Sequence, residues 1–127
     1  MSKLIYCATP SRLVHRLDDI MDFVTNEGNA PLHPFQAFPF ERYEGNPMVG
    51  RIKSMEYCLR LIDISDEFYM FGVSEGTLEE VSHAIKINKP IKLQFDSFDP
   101  EWEKFYQELG PKYGDPIDNL LKKNTSD

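Results

Sequence analysis

Apolar and polar positions along this chain switch between a strand-like and a helix-like period, and the switches mark its elements. Lys3-Leu4-Ile5-Tyr6-Cys7-Ala8 is a short apolar run stopped by Thr9-Pro10, which predicts a first strand. From Pro10 to Glu27 the residues Leu13, Leu17, Ile20, Met21 and Val24 recur at helical spacing, with Gly28 as the stop. Ala30 to His33 predicts a short second strand. The stretch from Pro34 to Pro47 is rich in Pro and Phe, and a connection of that length in a compact domain is usually functional or a lid. A second helix is expected from Met48 to about Ile62, with Ile52, Met55, Leu59 and Ile62 on one face. Glu67 to Phe71 then predicts a third strand, Thr77 to Asn88 a third helix, and Ile91 to Phe95 a fourth strand. Asp99-Pro100-Glu101-Trp102 opens a further helix, and Pro116 to Lys122 predicts a last short one.

Strands alternating with helices indicate a parallel, doubly wound α/β sheet, and 127 residues suit one such domain spanning 1–127. Ligands of such sheets sit beyond the carboxyl ends of the strands. Ala8-Thr9-Pro10, His33-Pro34 and Gly72 to Thr77 all fall there. The last of these turns carries the most chemistry. It joins the apolar run Phe68-Tyr69-Met70-Phe71 to a helix through Val73-Ser74-Glu75-Gly76-Thr77, so backbone N–H donors converge where an anion can sit. Glu80 follows one turn inside that helix. Phosphate donors beside a carboxylate predict a nucleotide site with one acidic catalytic group. The same residues also read structurally, because Thr77-x-x-Glu80 matches a capping box in which Glu80 folds back onto the cap amide.

Composition narrows the functional classes. The chain is 41% hydrophobic and 28% charged, as ordinary globular domains are. It has no run approaching the ~18 apolar residues of a membrane helix and no charged, apolar leader, which predicts a cytoplasmic protein. A formal net charge of −7 argues against nucleic-acid polymers, whose binding rests on clustered Lys and Arg, while leaving a mononucleotide open. Cys7 and Cys58 are too few for a disulfide framework and lack metal-ligand spacing. His15 and His83 sit on separate helices without a His partner at i, i+4, so no metal is expected, and no cofactor either.

Ser74-x-Gly76-Thr77-x-x-Glu80 after an apolar strand, followed by Ala84 and Lys89-Pro90-Ile91, resembles the nucleoside 2-deoxyribosyltransferase-like superfamily. Tyr6-Cys7-Ala8-Thr9-Pro10 is similar to that family's turn after its first strand, and the resemblance covers about residues 3 to 95. It implies a flavodoxin-like fold and the cleavage or transfer of N-glycosidic bonds. Six residues before the carboxylate, transferases acting on free deoxynucleosides commonly carry Asp, whereas the nucleotide N-hydrolases carry Ser, as Ser74 does here. The distinction has a physical basis. A carboxylate repels a phosphate dianion at hydrogen-bond distance, and a hydroxyl beside free helix amides donates to it. The resemblance therefore implies a hydrolase of nucleoside 5′-monophosphates with Glu80 as the nucleophile.

On this reading Thr9, Ser74, Gly76, Thr77 and His33 bind the phosphate or the rest of the substrate. The hydrolases also present an acid on the helix before the third strand, to assist the leaving base. Strict register gives Cys58 there. Glu56 is the nearest acid upstream and serves only if the helix is shifted; Asp63 and Asp66 lie nearer the strand. Without that acid, a nucleotide sensor or a deoxyribosyltransferase stays open beside the hydrolase. Phe35, Phe38, Phe40 and Tyr43 either stack a base or pack against the sheet or a partner subunit, and Arg42 and Arg51 either meet phosphate or are solvated. The exposed aromatic loop predicts a homodimer or higher homo-oligomer, with Tyr106 or Tyr113 reaching the neighbour's cleft.

Overall fold

The computed structural model describes residues 2–38 and 50–125, with side chains through 122. Phe40, Arg42, Tyr43 and the expected helix start at Met48 lie outside the described residues. Four strands form one sheet: β1 (Leu4–Ala8), β2 (Ala30–Leu32), β3 (Glu67–Met70) and β4 (Ile91–Leu93). Their order is β2-β1-β3-β4 and every pairing is parallel, with Tyr6 opposite Leu32 on one side and Phe68 on the other. This is the α/β, flavodoxin-like arrangement expected from the alternation of elements. The two central strands are buried almost throughout, whereas the three-residue edge strands are half-covered, as a sheet flanked by helices requires.

Strand geometry sends neighbouring side chains to opposite faces. On one face Ile5, Cys7, Tyr69 and Phe71 pack with Ile20 and Val24 of α1 (Leu17–Asn26) and with Phe98. On the other, Tyr6, Ala8, Phe68 and Met70 pack under α3 (Gly50–Ile64) and α4 (Glu75–Lys86), and the Tyr6 and Phe68 rings stack at 5.6 Å. The short α2 (Pro34–Ala37) and α5 (Phe95–Phe98), then α6 (Trp102–Leu109) and α7 (Asp118–Thr125), complete the described helices.

Three expectations change. The stretch from Pro10 is a 3-10 segment, Ser11–Arg16, before α1, because Leu13 leaves helical dihedrals while Arg12 is engaged by a distant loop. The fourth strand stops at Leu93, and Phe95 begins α5. The buried stripe of α3 is Ser54, Cys58 and Ile62, while Ile52 is 86% exposed. That helix is rotated from its apolar expectation because its first turns border a polar cavity rather than the core.

Candidate active site

β1 connects outward to β2 and its other edge pairs with β3, so the connections leaving the two central strands part at their carboxyl ends and open a crevice. A cavity of about 220 Å³ lies there. Thr9 and Ser11 line it from the β1 turn, and Ser74 through Thr77 with Glu80 from α4. Arg51, Ser54, Met55 and Cys58 line it from α3, and Phe35 from α2.

The β3–α4 turn is built by two hydroxyls. Ser74 is the N-cap of α4, in extended conformation, and its Oγ accepts the Thr77 amide at 3.1 Å. Thr77 Oγ1 in return accepts the Ser74 amide at 2.8 Å and donates to the Gly72 carbonyl at 2.9 Å. The capping box is therefore Ser74 with Thr77, not Thr77 with Glu80. The helix begins two residues earlier than its apolar periodicity indicates, because a hydroxyl cap at Ser74 is available and satisfies the first turn. Thr77 is consumed by this scaffold. The amides of Glu75 and Gly76, first in the helix, have no intrahelical acceptor. Ser74 Oγ keeps a hydrogen whose nearest partner is Thr77 Oγ1 at 3.4 Å. Gly76 has an ordinary φ, and a Cβ there would meet nothing closer than Met55 Cε and Ser74 Oγ at 3.8 Å. Packing does not require glycine at 76; the open space beside it belongs to the cavity.

Released from capping, Glu80 points inward. It is 6% exposed, and Tyr6 Oη donates to its Oε2 at 2.6 Å. Burial pushes its carboxyl up to about 7, against hydrogen bonds from the Tyr6 hydroxyl and the Cys58 thiol that favour the anion; Glu79 adds to the rise and Arg51 opposes it. Burial, with Glu80 alongside, likewise raises the Tyr6 phenol, so Tyr6 stays a donor. A carboxylate held by Tyr6 and Cys58 in the wall of a cavity, poised near neutral pH, is equipped to act as a nucleophile or a base.

The β1 turn is wired differently. His33 Nδ1 accepts the Phe35 amide at 3.2 Å, so Nε2 carries the hydrogen and donates to Thr9 Oγ1 at 3.0 Å. Thr9 Oγ1 donates in turn to the Cys7 carbonyl at 3.2 Å. Burial lowers His33 to about 4, which keeps it neutral. Thr9 is thus in the cavity wall, while His33 stands behind it and outside the wall. Glu56 is exposed on α3 and also outside the wall, where Cys58 takes the inward position. Asp66 accepts the Leu4 amide at 2.7 Å and Asp63 pairs with His83 at 2.7 Å; Leu4 opens β1, so Asp66 caps the opposite end of the sheet. Among the described residues, no group of three His, Cys, Asp or Glu is placed to hold a metal.

Sequence reasoning missed two supports. Tyr6 is one; its only signal was a hydroxyl in a core strand at the parity facing α4. The other is a bracket around Val73: buried Asp99 accepts the Val73 amide at 2.9 Å, and Arg12 donates to the Val73 carbonyl at 2.7 Å while pairing with Asp99. The Arg12 guanidinium also lies 3.9 Å over the Phe105 ring. This fixes the residue before the N-cap. Tyr106 is buried in its own chain, donating to Asp118 at 2.8 Å and accepting the Ile117 amide, so it does not reach a neighbour's cleft.

No family model, curated protein or solved structure matches this chain. No described helix is long and apolar enough to cross a membrane.

Proposed function

We propose that this chain hydrolyses the N-glycosidic bond of a nucleoside or deoxynucleoside 5′-monophosphate, releasing free base and a sugar 5-phosphate. The observation that carries the reading is the buried Glu80 carboxylate, bonded to Tyr6 and lining the same cavity as the uncapped first-turn amides of α4. Those amides, with the Ser74 hydroxyl and Arg51 in the wall, suit a phosphate dianion. Glu80 then attacks the anomeric carbon as the bond to the base nitrogen breaks. The departing base keeps the electron pair and takes a proton from water. A second water opens the glycosyl ester and restores the carboxylate, the two-step course of retaining glycosidases. The resemblance of Ser74-x-Gly76-Thr77-x-x-Glu80 to the nucleotide N-hydrolases supports the same assignment. Neither a cofactor nor a metal takes part in this scheme.

One observation favours a second reading. Among the described residues the wall offers a thiol, Cys58, at the register where an acid would assist the leaving base. A nucleotide-binding module without turnover accommodates that substitution directly.

Incubation with a panel of ribo- and deoxyribonucleoside monophosphates separates the readings. Free base released by wild type, and release at least ~10²-fold slower in a folded Glu80→Gln variant, is expected of the hydrolase. Binding with no release supports the module, and base exchange in place of hydrolysis supports a transferase. The proposal includes a cytoplasmic location and a homodimer or higher homo-oligomer, the assembly supported by Ile52 and Ile64, 86% and 65% exposed on the helix bordering the cavity. A monomer mass by light scattering at micromolar concentration overturns the assembly.

A further inference from the structure

We infer that Tyr113 and Glu75 set the charge this cavity accepts, admitting one phosphate and rejecting a diphosphate. The inference rests on the reading that the first turn of α4 seats a 5′-phosphate. Glu75 is the first residue of α4 and lines the cavity. A carboxylate in a helix's first turn is attracted to that turn's own free amides, the seat the phosphate would need. It is held elsewhere. Tyr113 Oη donates to Glu75 Oε1 at 3.2 Å and lies 3.4 Å from Glu79 Oε1, one turn further on.

The position of Tyr113 is decided by the C-terminal segment rather than by α4. It closes the 3-10 turn Gly110–Tyr113, which ends at Gly114 in left-handed conformation, φ 75°. Gly110 at the start of that turn is pressed against the Tyr106 ring so closely that a Cβ would lie 2.7 Å from it. The phenol is therefore a fixed hook. It holds the Glu75 carboxylate at the phenol, where the residue still borders the cavity, and leaves the Glu75 and Gly76 amides open.

Glu80, at the reacting end, lies five residues into the helix, about 7.5 Å along its axis from Glu75. A monophosphate on the first-turn amides spans that distance. A second phosphate would project past the helix's first residue, toward Glu75. Like charges there disfavour it, a repulsive element that discriminates without any contact to the correct ligand.

Calorimetric titration of deoxynucleoside 5′-mono- and diphosphates and of inorganic phosphate, without divalent cation, tests this. Wild type is expected to favour monophosphate over the matching diphosphate by about tenfold. Glu75→Gln, an exposed position that leaves folding intact, should narrow that ratio several-fold. Tyr113→Phe should weaken monophosphate binding several-fold by freeing Glu75 to cover the amides, and adding Glu75→Gln should restore it. A merely structural role for Tyr113 would leave the double variant as weak as the single one, and that result overturns the inference. Equal wild-type affinity for mono- and diphosphate overturns it too. Failure of wild type to bind any nucleotide or phosphate removes the site reading itself, and this inference with it.

Discussion

The two faces of the sheet receive alternate residues of the same strands and use them in opposite ways. Toward α1, Ile5, Cys7, Tyr69 and Phe71 meet Ile20, Val24 and Phe98, and Phe23 sets its ring edge-on to Tyr69, Phe71 and Phe98. Cys7 there donates to the carbonyl of Ile5, and burial pushes its thiol up to about 12. Toward α3 and α4, Tyr6 donates to a buried carboxylate and Cys58 faces the same group. The α1 face is mostly packing, and the Tyr69 hydroxyl that donates to Glu27 at 2.8 Å lies outside the cavity wall. The other gives up part of its apolar contact to hold an ionisable group at the crevice. A hydroxyl on β1 meets an acid on α4 at the cavity, whereas the Tyr69–Glu27 pair of the other face does not border it.

The largest expected effect lies on the inert face. Ile20→Ala should cost ~2–5 kcal/mol, the range for emptying a fully buried aliphatic site, and the loss should be the same at pH 5 and pH 8. Urea midpoints at the two pH values read this directly. A strongly pH-dependent loss would show that the two faces are electrostatically coupled and break the contrast.

On the reactive face the pH dependence is the signature. The folded-state carboxyl of Glu80 is raised from 4.5 to about 7, so the stability it contributes is full below about 4.5 and is lost as pH rises through about 7. Glu80→Gln cannot ionise and should lose that dependence. Relative to wild type it should gain on the order of 2–3 kcal/mol between pH 4.5 and pH 8. Activity, if Glu80 is the nucleophile, should rise through the same window as the carboxylate forms. His33 acts oppositely: its folded value is lowered from 6.5 to about 4, so its contribution is present above 6.5 and fades as pH falls through 4. Parallel denaturation curves for wild type and Glu80→Gln across this range would sink the claim that burial has raised Glu80.

Ser74→Asp separates the cap from the ligand. Asp caps as well as Ser, so stability should move by only a few tenths of a kcal/mol. A 5′-monophosphate should nevertheless bind at least ~10-fold more weakly, because a like charge then stands at hydrogen-bond distance, while the matching nucleoside is unaffected. Equal losses for both ligands would rule against a phosphate at this turn. The smallest effect belongs to Gly76→Ala. It should stabilise the helix by about 0.5–1 kcal/mol, since φ is ordinary and the added methyl meets no clash. Binding should weaken all the same, because the methyl occupies cavity space. A more stable variant with unchanged affinity would show that the ligand does not approach Gly76.

Much of this molecule was legible from local pattern. Apolar runs bounded by Pro and Gly located all four strands, and Gly28, at φ 86°, stops the first helix as expected. The turns at Thr9 and Ser74, chosen as strand ends before a helix, do meet at one cavity. Element ends moved by a few residues where a side chain beyond the period intervened. Ser74 started α4 early, and the engagement of Arg12 accompanied the 3-10 opening before α1. His33 was also at a strand end, yet its ring turned inward to Thr9, because a backbone amide at Phe35 satisfied its other nitrogen.

What the sequence by itself determined is the order of elements, the parallel sheet and the residues that end its strands, because periodicity, caps and turn formers act over a few residues. Only the tertiary structure decided which side chains share the crevice. Tyr6 and Glu80 are 74 positions apart, and Val73 and Arg12 are 61 apart, so no local pattern pairs them. The rotation of α3 placed Ser54 and Cys58 inward and left Ile52 and Glu56 outside. A helix period specifies that one stripe is buried. Which stripe it is depends on the neighbours, and here one neighbour is a polar cavity where the usual preference for apolar burial does not hold.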